Sequence, residues 1–307
     1  MYMAIKEIVD AANKSQKQIY ELAIEQEIKQ TKTSYEEVWS KMERNLATMQ
    51  HAINKSIEGD GVFSPTGLTG GDAVKIKNYR ENRKTLSGDL MVLGIQSAIG
   101  VNEVNAALGA ICATPTAGAS GTIPGVLFSI KDTLQLSHED MIHFLFTSAL
   151  FGTIVANNAC ISGAYGGCQA EVGSASAMAA AAAVEAAGGT PQQSSEAFSI
   201  ALQNLLGLVC DPVAGLVEIP CVKRNAIGTA NALAAADIAL AGVNNLINAD
   251  EVIEAMYRVG RQMPRELRET GLGGIAATPT GISIKNKIFG EKQHRHQAKE
   301  KKIPQTE

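Results

Sequence analysis

Apolar residues recur every three or four positions through the first fifty-odd residues of the chain. Ile5, Ile8, Val9, Ala12, Ile19, Leu22 and Ala23 fall on one stripe among charged neighbours, which predicts one amphipathic helix across that stretch. The same period predicts a second helix over 35–57. Ser137 followed by Asp140 has the form of a capping box, so a helix should start there and run through Met141, Phe144, Leu145 and Ala149. The run 175–187 is nearly all alanine and apolar on every side, which predicts a buried helix stopped by Gly188-Gly189. Thr190-Pro191-Gln192-Gln193 then supplies a cap, a first-position proline and a capping glutamine, and the helix it opens should bury Phe198, Ala201, Leu202, Leu205, Leu206 and Val209. Another alanine-rich helix is expected over 226–240.

No segment alternates convincingly, and Leu216 to Ile219 is at most one short extended piece. The predicted fold class is all-α. Between the helices lie two glycine-rich loops, 59–71 and 112–125. The Thr-Pro-Thr of the second returns at 278–280 with nothing repeated around it, which reads as shared turn chemistry. Three stretches follow: N-terminal amphipathic helices (1–58), a helical domain that carries the two loops (59–290) and a polar tail (291–307). The tail has no apolar stripe to bury and is expected to be disordered, with His294 and His296 solvated rather than metal-bound.

Composition narrows the picture. Of 307 residues 45% are hydrophobic but only 5% aromatic, so the core must be built from small aliphatic side chains. A net charge of −4 gives no basic footprint for nucleic acid. No uninterrupted apolar stretch reaches the roughly 18–20 residues of a membrane span, and Lys6, Glu7 and Asp10 argue against a secretory leader. The expected setting is the cytoplasm.

The five cysteines all fall between 112 and 221, and none forms a Cys-x-x-Cys pair. In a reducing compartment they read as free thiols or metal ligands rather than disulfides. Cys168 precedes the alanine-rich helix, Cys210 closes the next helix and Cys221 opens the one after. Two of the three stand at helix N-termini, which favour thiolates and bridging sulfides, and three thiolates from three loops are reasonable cluster ligands. Small buried packing residues are the competing reading at this point.

From 59 to 290 the chain resembles the α chain of the iron–sulfur L-serine dehydratases. The resemblance is carried by Leu-Thr-Gly-Gly-Asp at 68–72, Asn-Glu-Val-Asn-Ala at 102–106 and Ala-Thr-Pro-Thr-Ala-Gly at 113–118. It continues in Gly-Gly-Cys-Gln-Ala-Glu-Val-Gly at 166–173, Cys-Asp-Pro-Val-Ala-Gly at 210–215 and Pro-Cys-Val-Lys-Arg-Asn at 220–225. The resemblance implies a [4Fe–4S] cluster on Cys168, Cys210 and Cys221, whose separations of 42 and 11 positions suit that family. Cys112 and Cys160 fall outside the motifs. Single-chain relatives carry a further cysteine near the C-terminus, whereas no cysteine follows Cys221 here. The resemblance is to the two-chain branch, which implies a separate β subunit that supplies part of the active site.

The implied reaction takes L-serine to aminoacrylate and then to pyruvate and ammonia. An iron without a protein thiolate would serve as Lewis acid for the departing hydroxyl. Thr114 and Thr116, with Asn102 and Asn105, are the candidates for holding serine, because hydroxyls and free N–H groups in a glycine-rich loop suit a carboxylate. Glu103 is a candidate base or ammonium partner, although a glutamate there also suits a helix cap. Two other readings compete. A pyridoxal-phosphate lyase would need an α/β frame around Gly118-Ala119-Ser120-Gly121. A non-enzymatic helical scaffold would have no need of so many loop Gly and Thr residues.

Overall fold

The computed structural model describes residues 1–300, with side chains through residue 290. The tail of 291–307, with His294 and His296, therefore lies outside the fully described residues. The N-terminal stripes form α1 (Ile5–Ser15), α2 (Ile19–Thr31) and α3 (Tyr35–Ser56). The single helix expected across Ile5–Ala23 is broken: Gln16 turns left-handed with φ 54°, and α2 starts afresh at Ile19. The restart is anchored from elsewhere, because the Ile19 N–H donates to the carboxylate of Glu185.

The chain continues through α4 (Asp72–Asn82), α5 (Asp89–Ala106), α6 (Thr122–Ile130) and α7 (His138–Asn158). After the single turn α8 (Gly163–Gly166) come α9 (Ser174–Ala186), α10 (Pro191–Gln203) and α11 (Cys221–Leu240). The last two are α12 (Ala249–Gln262) and α13 (Pro279–Glu300). Among the described residues there is no strand, only isolated bridges between Phe63 and Gly70 and between Cys210 and Arg268. The fold is all-α, and the α/β frame a pyridoxal-phosphate lyase would require is not its architecture.

Local signals place several ends well. Ser137 and Asp140 make their reciprocal capping box, and so do Thr190 and Gln193. Helix α10 stops earlier than its apolar period suggests, at Gln203, so Leu205, Leu206 and Val209 lie in the following turn and are only partly buried. The side-chain carbonyl of Gln169 accepts the N–H of Gly207 at 2.8 Å, which holds that turn off the helical path. In the other direction α11 is longer than expected, beginning at Cys221.

The alanine run is the centre of the molecule. Every residue of α9 from Ser174 to Val184 is buried, between α7, α10, α11 and α6. Side chains of one methyl group let four helices approach it closely, and the larger apolar groups fill the layer beyond. There Phe151 of α7 stacks on Phe198 of α10 with ring centroids 5.4 Å apart, both fully buried. The N-terminal helices share this core: Ile5, Ile8, Ile19, Leu22 and Met49 belong to the same buried cluster as Phe151 and Phe198. Helix α7 has the length and apolarity of a membrane span, but its apolar faces are taken up by this packing.

Carboxylates from distant segments cap helices. Asp250 accepts the N–H groups of Ile5 at 2.7 Å and Lys6 at 3.1 Å, Glu185 serves α2, and Glu103 serves α4. Each satisfies donors that a helix N-terminus leaves open and meets the positive end of the helix dipole.

Candidate active site

Three loops and one helix end converge beside the buried start of α9. Cys168 leads into a π-turn, Gln169–Gly173, that precedes α9 without a break. Gln169 fixes this turn: its backbone N–H donates to Leu208 O at 3.0 Å and its side-chain amide to Met256 O at 2.9 Å. The contact brings the 205–210 segment, and Cys210 with it, against Cys168. Cys210 is extended, and a returning segment, 264–278, clasps it on both sides: its N–H donates to Leu267 O at 2.8 Å and its carbonyl accepts from Glu269 N–H at 2.7 Å. Cys221 stands at the first position of α11.

All three thiols are buried and line one cavity of about 200 Å³ together with Thr116, Glu171 and Glu269. The loop carrying Thr116 is pinned to α11 by Asn225, whose amide donates to Gly118 O at 2.7 Å and whose carbonyl accepts from Gly121 N–H at 3.0 Å. The Thr116 hydroxyl reaches across to Glu171 at 2.7 Å, and the other oxygen of Glu171 lies 3.9 Å from the Cys210 sulfur. Gly163 leaves room for this: a Cβ there would stand 2.6 Å from Glu171 Oε2 and 3.0 Å from Cys210 Sγ.

The electrostatics of the pocket are those of crowded acids. Burial pushes the Cys168 thiol up to about 12, with Arg224 pulling the other way and Glu171 adding to the rise. Cys221 is likewise pushed up to about 12 by burial and by Cys168. Cys210 is raised by burial and then by Cys168, Glu171 and Cys221. Burial also raises Glu171, against the pull of the Thr116 hydroxyl. Three such thiols ionise together only if strong positive charge enters the cavity. Among the described residues no three His, Cys, Asp or Glu side chains close on a single metal ion. The three sulfurs line one cavity, and soft thiolates are the donors that iron–sulfur clusters take. In that respect the donor set fits an iron–sulfur cluster.

The other candidates lie elsewhere around this centre. Glu103 is fully buried, and both of its oxygens are engaged, by Asp72 N–H at 2.7 Å and Ala73 N–H at 3.2 Å. It caps α4 and does not line the cavity. Asn105 donates to Ala117 O at 3.3 Å and so supports the Thr116 loop from behind. Asn102 is fully buried beside Gly121, and neither end of its amide has a protein partner; the buried hydroxyls of Thr114 and Ser120 in the same loop are also unpartnered. Cys112 and Cys160 stand apart, both partly buried.

Sequence reasoning passed over Glu171, Arg224, Asn225 and Glu269. The first three sit inside motifs already noted for their cysteines, at 166–173 and 220–225, so the signal was present. Glu269 lies in no motif and is brought in only by the pairing of its segment with Cys210.

Comparison with known proteins places the chain in a family. The family profile described as serine dehydratase alpha chain matches residues 14–276. A probable L-serine dehydratase alpha chain of Bacillus subtilis (strain 168) is 57% identical over 290 residues, covering 94% of this chain and 96% of its own. A probable L-serine dehydratase alpha chain of Latilactobacillus sakei is 66% identical over 203 residues, 66% of this chain and 97% of its own. The L-serine dehydratase alpha chain of Peptoniphilus asaccharolyticus is 42% identical over 291 residues, 95% and 99% of the two chains. The chain belongs to the serine dehydratase alpha chain family.

Proposed function

We propose that this chain is the cluster-bearing subunit of a cytoplasmic L-serine ammonia-lyase that converts L-serine to pyruvate and ammonia. The observation that carries the reading is the gathering of Cys168, Cys210 and Cys221 around one buried cavity walled by Thr116 and Glu171. Cys168, Cys210 and Cys221 would hold a [4Fe–4S] cluster, which would supply Lewis-acid chemistry for the departing hydroxyl.

The chain's own residues do the rest. Glu171, fixed by Thr116, offers a carboxylate to the serine ammonium, and the cation answers the cost of keeping that carboxylate buried. The unpartnered hydroxyl of Thr114 and amide of Asn102, with the backbone N–H groups of Thr116, Ala117 and Gly118, are free to serve the serine carboxylate. Asn105 and Asn225 hold that loop in register with α11. Glu103 has the different task of capping α4. Loss of the Cα proton and of the hydroxyl gives aminoacrylate and water, and aminoacrylate hydrolyses to pyruvate and ammonium. We assign part of the active site to the partner β subunit.

The test is to purify the chain without air, together with its β partner, and to measure iron, sulfide and serine-dependent pyruvate. A colourless, iron-free preparation that forms pyruvate would overturn the reading.

A further inference from the structure

We infer that Arg224 is the fixed counter-cation of the cysteine cavity, a positioning residue held in place by Asp211 so that one positive charge always faces the thiolates. The inference rests on the cluster reading and assigns a role in it to residues outside the ligand set.

The ionisable groups lining the cavity are all acidic: three thiols, Glu171 and Glu269. When the thiols are ionised, negative charge accumulates where burial makes it most costly. Arg224 is the cation that the fold places between the Cys210 loop and the start of the Cys221 helix. It lies one turn into α11 from Cys221, and its side chain is only 17% exposed. Two of its nitrogens are already engaged: Nη1 donates to Val209 O at 2.7 Å, and Nη2 to Asp211 Oδ1 at 2.8 Å. Both partners flank Cys210, so the guanidinium ties the Cys221 helix to the Cys210 loop and holds its charge between the two cysteines.

Asp211 is in turn immobilised. Its side chain is 4% exposed, and its second oxygen accepts the N–H of Ile275 at 2.7 Å. Gly274 makes the approach possible: with φ +57°, a Cβ there would fall 2.0 Å from Asp211 Oδ2. A lysine could supply the charge but not the planar fork that serves Val209 and Asp211 together. The chain thus spends a buried ion pair on aiming one cation, a geometry that simple packing does not require.

The experiment compares wild type, R224K, R224Q and D211N as full-length chains purified without air, with folding checked by circular dichroism. The readouts are iron per chain, the rate at which a chelator strips iron, and the reduction potential of the brown chromophore. R224Q should lose iron about ten-fold faster or more, and its potential should move to more negative values, because removing a cation disfavours the added electron. R224K should keep a potential close to wild type while losing iron faster. D211N, which leaves the arginine charge less compensated, should move the potential the opposite way from R224Q. Should R224Q fail to fold, R224K and D211N decide the matter. An R224Q protein with unchanged potential and iron retention overturns the role, as does a D211N potential that is unchanged or lower. A wild-type protein free of iron and sulfide overturns the cluster reading, and this one with it, by a distinct result.

Discussion

The hydroxyl of Thr116 donates to the carboxylate of Glu171 across 2.7 Å, joining the glycine-rich loop to the π-turn that carries Cys168. Two segments 55 residues apart in sequence thereby become one polar wall of the cysteine cavity. Glu171→Gln keeps a hydrogen-bond acceptor for Thr116 but removes the charge offered to the substrate ammonium. Its kcat/KM for serine should fall by about a hundred-fold, in line with losing one member of a desolvated charge pair, while iron per chain stays at the wild-type level. Undiminished kcat/KM in a pyruvate-coupled assay would remove Glu171 from the substrate site.

The five cysteines should divide three to two. Serine at 168, 210 or 221 replaces a soft thiolate by a poorly ionised oxygen and leaves a three-ligand site with two. Brown absorbance and activity should both collapse in each case. Cys160→Ala and Cys112→Ala should retain iron, since neither thiol lines the cavity. Iron loss in Cys160→Ala combined with retention in Cys210→Ser would reverse the assignment.

Activity should need a second chain. The α chain alone, even loaded with iron, should form little pyruvate, and adding the β subunit should restore turnover. Oxygen should abolish the activity, and ferrous iron with a thiol should recover it. Full turnover by the α chain alone would falsify the two-subunit assignment.

His143 should impose a pH limit on stability. Burial holds its pKa below the usual value near 6.5, against the pull of Glu139 and Asp140, and its ring stacks on Tyr20 at 3.7 Å. A depressed folded pKa means that the neutral ring's contribution is complete above the unfolded value and is lost as pH falls through the folded one. The Tm of the wild type should therefore drop more between pH 7 and pH 5 than that of His143→Phe, which cannot charge. Parallel Tm profiles for the two proteins would rule the ring out as the titrating group.

Gly274→Ala should destabilise the fold by roughly 2 kcal/mol or more, since it adds both a left-handed alanine and a clash with Asp211. Denaturant melts measure the loss. The same change in an unstrained turn, Gly188→Ala, meets no neighbour within 4 Å and should lose less, the cost of its φ of +81° alone.

What could be read in advance was whatever the chain decides locally. Ser137 with Asp140, and Thr190 with Pro191 and Gln193, each carry a complete helix start within four residues, and both starts fall where the pattern puts them. The solid alanine run could only be a buried helix. The break at Gln16 carries no glycine or proline, and the acceptor that fixes the restart of α2 is Glu185, 166 residues away. The early end of α10 depends in the same way on Gln169, and the place of Glu269 on a pairing with Cys210. For the site, the sequence pointed to Cys168, Cys210 and Cys221 through the motifs around them, and the fold gathers all three at one cavity. Glu171 and Arg224 stand in the same motifs, and only their folded contacts with Thr116 and Asp211 mark them out.

The clasp that 264–278 places on Cys210 also sets a timetable for biosynthesis. Cys168, Cys210 and Cys221 leave the ribosome long before Leu267, Glu269 and Ile275, which lock the second of them in position. Synthesis proceeds from the N-terminus, so until those residues emerge the Cys210 side of the cavity lacks its wall, and the enclosure closes only once the chain is made through Ile275.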